Sequence, residues 1–286
     1  MLAISRIIAC IALGVSSVSA FAFEPLNTDD AKTVGFGWNQ IEAYYYSITS
    51  GGTSEQSTGV SPGEEFLAAG NSKALPVTYT YGFTESVEGM ISATYFMTPR
   101  GDYSPLANYV FGFKWQYFGA PAEGLGLSIK PTFSLPAATQ QQEAGPRNAA
   151  FNYGINLIGS YYWDSFDIHV NATYDREPYN TNFNVAGSTD PQRKNVYGIS
   201  IAPIWNFAPK TSVALDLGLG TNTPTASSTI ANAYVMGALI FTPVPTIDLA
   251  IAYLASDDNP GQLVSNNRSS KTNSNRFEIG ATFRFK

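Results

Sequence analysis

The sequence predicts an all-β fold: a transmembrane antiparallel up-and-down β-barrel of about twelve strands, preceded by an N-terminal signal peptide. Three observations predict it. Apolar and polar residues alternate with a period of two from near residue 34 to the last residue. The links between the alternating segments are short and long in turn. Aromatic residues gather at both ends of the segments.

The composition agrees with this fold class. Of the 286 residues, 14% are aromatic and only 13% are charged, which is about half the charged fraction of an ordinary soluble domain. The mean hydropathy is -0.07, because lipid-facing and lumen-facing residues of a barrel wall cancel. The formal net charge is -6, and no basic stripe suited to phosphates is present, so nucleic acid is excluded as a partner.

An export signal is predicted at residues 1–22, which leaves residues 23–286 as the barrel. Arg6 precedes an apolar run at residues 7–15, and small residues follow up to Ala22. Cleavage after Ala22, or two residues earlier, removes this segment.

The only cysteine, Cys10, lies within the predicted signal. The mature chain would then have no thiol and no disulfide, as suits an oxidising cell envelope. A lipoprotein signal ending at Cys10 is the alternative, but its apolar region would be too short to function.

The alternation is clearest at residues 124–136. Leu125 and Leu127 lie on one face there, while Ser128 and Lys130 lie on the other. Most segments have the length that a tilted strand needs to cross a bilayer, roughly 9–14 residues. The predicted strands are residues 34–48, 74–83, 87–97, 107–118, 124–136, 149–163, 166–174, 194–207, 211–220, 230–242, 246–255 and 275–285.

The links between these strands alternate in length. Short turns are predicted at residues 84–86, 119–123, 164–165, 208–210 and 243–245. Longer polar links are predicted at residues 49–73, 98–106, 137–148, 175–193, 221–229 and 256–274. Short periplasmic turns and long outer loops are expected when both termini lie in the periplasm.

Aromatic side chains with outward parity predict two girdles at the membrane interfaces. The periplasmic girdle comprises Tyr81, Phe83, Trp115, Tyr117, Tyr161, Trp163, Trp205, Phe207, Phe241, Phe283 and Phe285. The outer girdle comprises Tyr45, Tyr95, Tyr109, Phe151, Tyr153, Tyr174, Tyr197, Tyr253 and Phe277. A soluble β-sandwich also alternates but has no reason to place aromatics at both strand ends.

Two features fit the barrel badly. Trp38 has lumen parity in the first predicted strand, and a bulge near Gly35 or Gly37 is needed to correct the register. Three prolines also fall within predicted strands, where each removes a donor from the ladder, namely Pro76, Pro131 and Pro203.

Inward parity assigns a set of polar and charged side chains to the lumen. The candidate lumen or binding residues are Glu42, Lys114, Lys130, Asn156, Asp167, His169, Asp216, Asp248, Arg276, Glu278 and Arg284, with Glu88 beside them. They predict either a polar constriction that selects permeants by size and charge or buried ion pairs that close a narrow interior. Lys114 and Lys130 lie on neighbouring strands with acidic residues within reach.

No catalytic residue and no cofactor is predicted. His169 is the only histidine, and a lipid hydrolase could use it as a base. Its parity points to the lumen, however, and no serine lies in a motif resembling outer-membrane phospholipases. We therefore interpret it as a hydrogen-bonded structural group. One histidine is too few for a histidine-based metal cluster, and Asp257–Asn259 lacks the pattern of an EF-hand loop.

Several motifs together resemble the "meta-pathway of phenol degradation" family, a group of outer-membrane barrel proteins. The matching residues are 26–31 (LNTDDA), 33–35 (TVG) with Gly37, 112–114 (GFK), 130–136 (KPTFSLP), 151–157 (FNYGINL) and 168–171 (IHVN). The resemblance covers most of the mature chain. It implies a barrel that helps small, often aromatic or apolar, compounds cross the outer membrane, and it carries over no catalytic residue.

The predicted function is passive uptake of small molecules by a monomeric channel in the Gram-negative outer membrane, in contact with lipid and lipopolysaccharide. The first alternative is a structural or ligand-binding barrel whose lumen is closed by ion pairs. The second is a membrane-embedded lipid hydrolase that uses His169.

Overall fold

The computed structural model describes residues 25–50, 71–98, 106–119, 123–135, 151–176, 194–221, 231–256 and 274–286. They form one closed barrel of twelve antiparallel strands, in which each strand pairs with its neighbours in sequence. The first and last strands also pair, and this closes the barrel. The predicted signal peptide and nearly all residues of the six predicted long links lie outside the described residues.

The strands are β1 (Asn39–Ser50), β2 (Asn71–Gly82), β3 (Val87–Thr98), β4 (Leu106–Phe118), β5 (Gly124–Ser134), β6 (Asn152–Tyr162), β7 (Phe166–Arg176), β8 (Asn195–Ala208), β9 (Thr211–Thr221), β10 (Ala231–Val244), β11 (Ile247–Ser256) and β12 (Ser274–Phe285). The predicted all-β barrel and its strand number are therefore confirmed. At most five residues separate β2 from β3, β4 from β5, β6 from β7, β8 from β9 and β10 from β11. The strand ends beside these short links lie at one end of the barrel, which we call the short-turn end.

The prediction for the first strand was wrong at its beginning. Residues 34–38 are not part of β1 but form the turn that leads into it. Gly35 and Gly37 have positive φ angles of 84° and 74°, a conformation that suits glycine. The Trp38 amide donates to the Gly35 oxygen at 3.2 Å. Trp38 therefore precedes the strand, and the register needs no bulge.

Gly82, the last residue of β2, leaves room for this turn. A Cβ atom on Gly82 would lie 1.8 Å from the backbone oxygen of Gly35. The backbone oxygen of Gly82 accepts a hydrogen bond from the Gly37 amide at 2.9 Å. The chain before β1 is thus fixed against the short-turn end of β2.

The three prolines do lie within strands, and the ladder tolerates them by a common device. Beside Pro76, Pro131 and Pro203, the pairing with one neighbouring strand omits two residue pairs and then resumes in the same register. Pairing on the other side of each proline continues through it. A missing donor therefore interrupts one ladder locally without shifting the strand.

The outer wall is apolar. Its exposed large side chains include Leu157, Ile199, Leu219 and Ile279, all at least half exposed. At the short-turn end the predicted aromatic girdle is present, with rings in contact in the pairs Tyr81–Phe83, Trp115–Tyr117, Tyr161–Trp163 and Trp205–Phe207. At the opposite end Tyr174 and Tyr197 have ring centroids 5.3 Å apart.

Within the part of the chain that the structure describes, no helix is long and apolar enough to cross a membrane.

Candidate functional site

The lumen is the candidate site, because the polar side chains of the strands converge there. All eleven candidate residues lie on the inner face of the wall, most of them buried: Glu42, Lys114, Asn156, Asp167, His169, Asp216, Asp248, Glu278 and Arg284 are at most 9% exposed, and Lys130 and Arg276 are partly buried. Their inward orientation agrees with the alternation in the sequence. Their role in binding stays a prediction.

A second element occupies the lumen. Residues 25–34 run through the barrel interior before the turn into β1, and we call them the lumen segment. Most of its side chains are buried, with Ala31 fully inaccessible and Val34 only 2% exposed. Because its backbone forms no strand, its polar groups must bond to the wall.

Asp216, in the middle of β9, holds the start of the lumen segment. Its carboxylate accepts hydrogen bonds from the backbone amides of Asn27 at 2.7 Å and Thr28 at 3.0 Å. It also accepts from the Thr28 hydroxyl at 2.8 Å and from the Tyr234 hydroxyl at 2.9 Å. The Asp216 carboxylate thus accepts four hydrogen bonds, and it takes part in no ion pair with any described residue.

The next residue of the lumen segment, Asp29, is bound by β5, β6 and β7. Its carboxylate forms an ion pair with Lys130 at 2.8 Å and accepts from the Asn156 amide at 3.2 Å. With its amide oriented to suit its neighbours, Asn171 accepts from the Asp29 amide at 2.7 Å and donates to the Asp29 oxygen at 2.9 Å. Both the side chain and the backbone of Asp29 are therefore fixed.

Lys114 forms the most buried ionic contact with the lumen segment. Its ammonium lies 3.0 Å from Glu88 and 3.5 Å from Asp30, and Lys114 is 2% exposed. Glu88 in turn accepts from the Val34 amide at 2.7 Å. The expectation that Lys114 and Lys130 would have acidic neighbours is confirmed, but one carboxylate for each comes from the lumen segment.

The backbone of Ala31 is held between two serines. The Ala31 amide donates to the Ser160 hydroxyl at 2.9 Å, and the Ser128 hydroxyl donates to the Ala31 oxygen at 2.5 Å. A side chain on Gly126 would begin 3.3 Å from the Ala31 Cβ atom. The lumen segment is thus in close contact with β5 and β6.

His169 belongs to the same network. Its Nδ1 atom lies 2.9 Å from the Ser160 hydroxyl, and the histidine is 4% exposed. The Ser160 oxygen is already bonded to the Ala31 amide and is itself 2% exposed. This serine and histidine are in contact but covered by the lumen segment, so the arrangement is that of a structural hydrogen bond.

Two further ionic contacts involve β11 and β12. Arg284 forms an ion pair with Asp248 at 2.6 Å and donates to Gln40 at 2.8 Å. Arg276 pairs with Glu278 and donates to the Asn27 side chain at 2.8 Å. Arg276 thus links a wall ion pair to the lumen segment, whereas Arg284 and Asp248 pair within the wall.

The lumen has a second, apolar side. Inward residues of β8–β11 form a buried cluster with Tyr44 of β1, and the side chain of Leu26 from the lumen segment joins it. The wall residues of this cluster are Ala202, Ile204, Ala214, Met236, Ala238, Ile240, Ala250, Ala252 and Leu254. Besides its polar contacts, the lumen therefore contains an apolar patch along β8–β11, interrupted by the carboxylates of Asp216 and Asp248.

Strand alternation did not identify Asp29, Asp30 and Lys32 as lumen residues. They precede the first strand, so parity assigns them no direction. A signal was nevertheless present: residues 27–33, six of which are polar, lie without alternation between the predicted signal and β1. The inward charges of the wall also needed partners that the wall alone does not provide.

No family model matches this chain, and no curated protein matches it. Solved structures with the same fold do exist. The NanC porin is 10% identical with a TM-score of 0.53, covering 84% of this chain and 98% of its own. The COG4313 outer membrane channel from Pseudomonas putida F1 is 11% identical with a TM-score of 0.53, and the match covers 90% of this chain and 98% of that channel.

The KdgM porin, solved in complex with disordered oligogalacturonate, is 10% identical with a TM-score of 0.50, covering 86% of this chain and 99% of its own. At such identities the likeness concerns the fold alone. The chain therefore has the twelve-stranded barrel fold found in outer-membrane porins and channels.

Proposed function

We propose that this protein is a passive channel through which small molecules cross the bacterial outer membrane. The observation that carries the proposal is a closed barrel with an apolar exterior and a charged, hydrogen-bonding lumen. An apolar exterior of this kind suits a bilayer, and polar groups inside suit the passage of a solute. The fold shared with porins and channels supports it.

The lumen segment makes the proposed passage a narrow one. Polar groups of the wall hold it from Asp216 in the middle of β9 to Glu88 near the short-turn end. A solute must therefore pass between the lumen segment and the remaining wall. We further propose that the chain is exported by cleavage of residues 1–22 and acts as a monomer in contact with lipid and lipopolysaccharide.

The direct test is a conductance measurement on the purified protein in planar bilayers, together with a liposome-swelling assay using small sugars and amino acids. We expect discrete, small current steps and slow permeation of the smallest solutes. Protein-free liposomes and liposomes with heat-unfolded protein are the controls. Absence of both current and swelling, with barrel insertion verified by protease protection, contradicts the channel.

The apolar side of the lumen supports a narrower permeant class. We propose that permeants carry an aromatic or apolar part; the apolar inward residues of β8–β11 and the resemblance to the phenol-degradation family support this. Benzyltrimethylammonium is expected to interrupt the current more often than tetramethylammonium, which has the same charge and no ring. If both cations interrupt the current equally often, the proposed permeant class is contradicted but the proposed channel function is not.

The alternative is a structural or ligand-binding barrel with a closed lumen. The specific observation in its favour is the density of ion pairs and hydrogen bonds that hold the lumen segment, such as Lys114 with both Glu88 and Asp30. In that case the protein carries no current, and removal of the lumen segment creates one. Conductance of the intact chain therefore distinguishes the two functions.

A further inference from the structure

A pair of opposite charges lies at the short-turn end of the lumen, outside the ion-pair network. Lys32 belongs to the lumen segment and Asp167 is the second residue of β7. Both are buried, with exposures of 4% and 5%. The Lys32 ammonium lies 3.7 Å from the ring centroid of Tyr162, the last residue of β6.

Neither charge is neutralised by direct contact. Among the described residues, no carboxylate lies within ion-pair distance of Lys32, and Asp167 forms no ion pair. Asp167 accepts hydrogen bonds from neutral donors, namely the Asn206 side-chain amide at 3.3 Å and the Trp163 backbone amide. The charges of Lys32, Asp167 and Asp30 are nonetheless close enough to affect one another electrostatically. In a narrow, weakly screened passage such charges act strongly on a passing ion.

The charge of the lumen as a whole is biased towards acid. Carboxylates on the inner wall and the lumen segment are Asp29, Asp30, Glu42, Glu88, Asp167, Asp175, Asp216, Asp248 and Glu278. Cationic groups are Lys32, Lys114, Lys130, Arg276 and Arg284. The described lumen therefore carries an excess of negative charge, to which Asp216 and Asp167 contribute without a cationic partner.

We propose that the lumen prefers small cations to small anions and that Lys32 and Asp167 set the strength of this preference. Asp167 attracts cations at the short-turn end, and Lys32 opposes that attraction from the lumen segment. The ligand class is a small inorganic or organic cation, drawn by an uncompensated carboxylate. This inference rests on the proposed channel function.

Reversal potentials measured across a KCl gradient test the proposal. The reversal potential of the wild type is expected to lie towards the equilibrium potential of potassium, because cations carry most of the current. Asp167→Asn keeps the shape of the side chain and its contact with Asn206 but removes the negative charge. The reversal potential of this variant is therefore expected to move towards the equilibrium potential of chloride. Lys32→Gln removes the opposing positive charge. The reversal potential of this variant is therefore expected to move further towards the equilibrium potential of potassium. Asp164→Asn, an exposed change in the turn before β7, is the matched control and shifts nothing.

The two variants move in opposite directions, so a general loss of structure cannot imitate the expected result. If one variant fails to insert into the bilayer, the direction in which the reversal potential of the other variant shifts still tests the proposal. A chloride preference in the wild type, or the same reversal potential in all four proteins, contradicts the proposed cation preference but not the proposed channel function. Absence of current in every protein counts instead against the channel.

Discussion

Removal of residues 26–33 is expected to raise the single-channel conductance several-fold. Each barrel strand is paired through its backbone to two neighbours, so the wall does not need the lumen segment for closure. The deletion joins Pro25 to Val34 and empties the passage between Asp216 and Lys114. Planar-bilayer recordings of the deletion variant beside the wild type measure the effect.

The control for this deletion is a chain of equal length in which residues 26–33 are replaced by glycine and serine. This chain loses Asp29 and Asp30, which hold the lumen segment through Lys130 and Lys114. We expect it to give intermediate conductance with frequent fluctuations, because a polypeptide is present but not fixed. Conductance of the deletion variant equal to that of the wild type contradicts the position of the lumen segment.

Lys114→Met is expected to lower the stability of the barrel more than any other single change in the lumen. It leaves Glu88 and Asp30 as buried carboxylates without their common cation. Removing one partner of a buried ion pair costs about 3–5 kcal/mol. The measurement is unfolding in urea, followed by the gel mobility shift that separates folded from unfolded barrels.

Two comparisons make this prediction specific. Lys194→Met changes an exposed lysine just before β8 and is expected to have almost no effect. Combining Lys114→Met with Glu88→Gln and Asp30→Asn is expected to recover part of the loss, since the orphaned charges are then removed. A loss below about 1 kcal/mol for Lys114→Met would show that water reaches these carboxylates freely.

Strand positions and side-chain orientation were predictable from the sequence because both depend on local pattern. A strand that separates lipid from a polar lumen must alternate, so residues such as Leu157 and Asn156 take opposite faces. The inward orientation of Lys114 and Lys130 followed from the same parity. The prolines also conformed, because each interrupts pairing with only one neighbour.

The lumen segment was not predictable in this way because its structure depends on distant contacts. Thr28 binds Asp216 across 188 residues, and Asp29 binds Lys130 across 101. No periodicity in residues 25–34 records such contacts. The predicted strand beginning at residue 34 was wrong for the same reason: Val34 is apolar, but it packs in the lumen and bonds to Glu88 through its backbone.

The apolar side of the lumen was likewise missed, because only polar and charged side chains were assigned to the lumen. Ala214, Ala238 and Ala252 have inward parity, yet a small apolar residue is compatible with either face of a strand. Only the closed barrel shows that they and Met236 form one patch with Tyr44. Apolar inward positions in consecutive strands are the sequence signal that indicates such a patch.

The central claim is that the lumen segment lies inside the barrel against β5, and disulfide formation between Ala31→Cys and Gly126→Cys tests it most directly. The Cβ atoms would lie 3.3 Å apart, close to the separation that a disulfide requires, about 3.5–4.5 Å. Ala238→Cys with Ala252→Cys, facing residues of β10 and β11, is the positive control for a buried pair.

After mild oxidation in membranes, mass spectrometry of the digested protein is expected to show the 31–126 disulfide at a yield similar to that of the control pair. A control pair that oxidises while residues 31 and 126 stay reduced would place the lumen segment elsewhere and contradict the account.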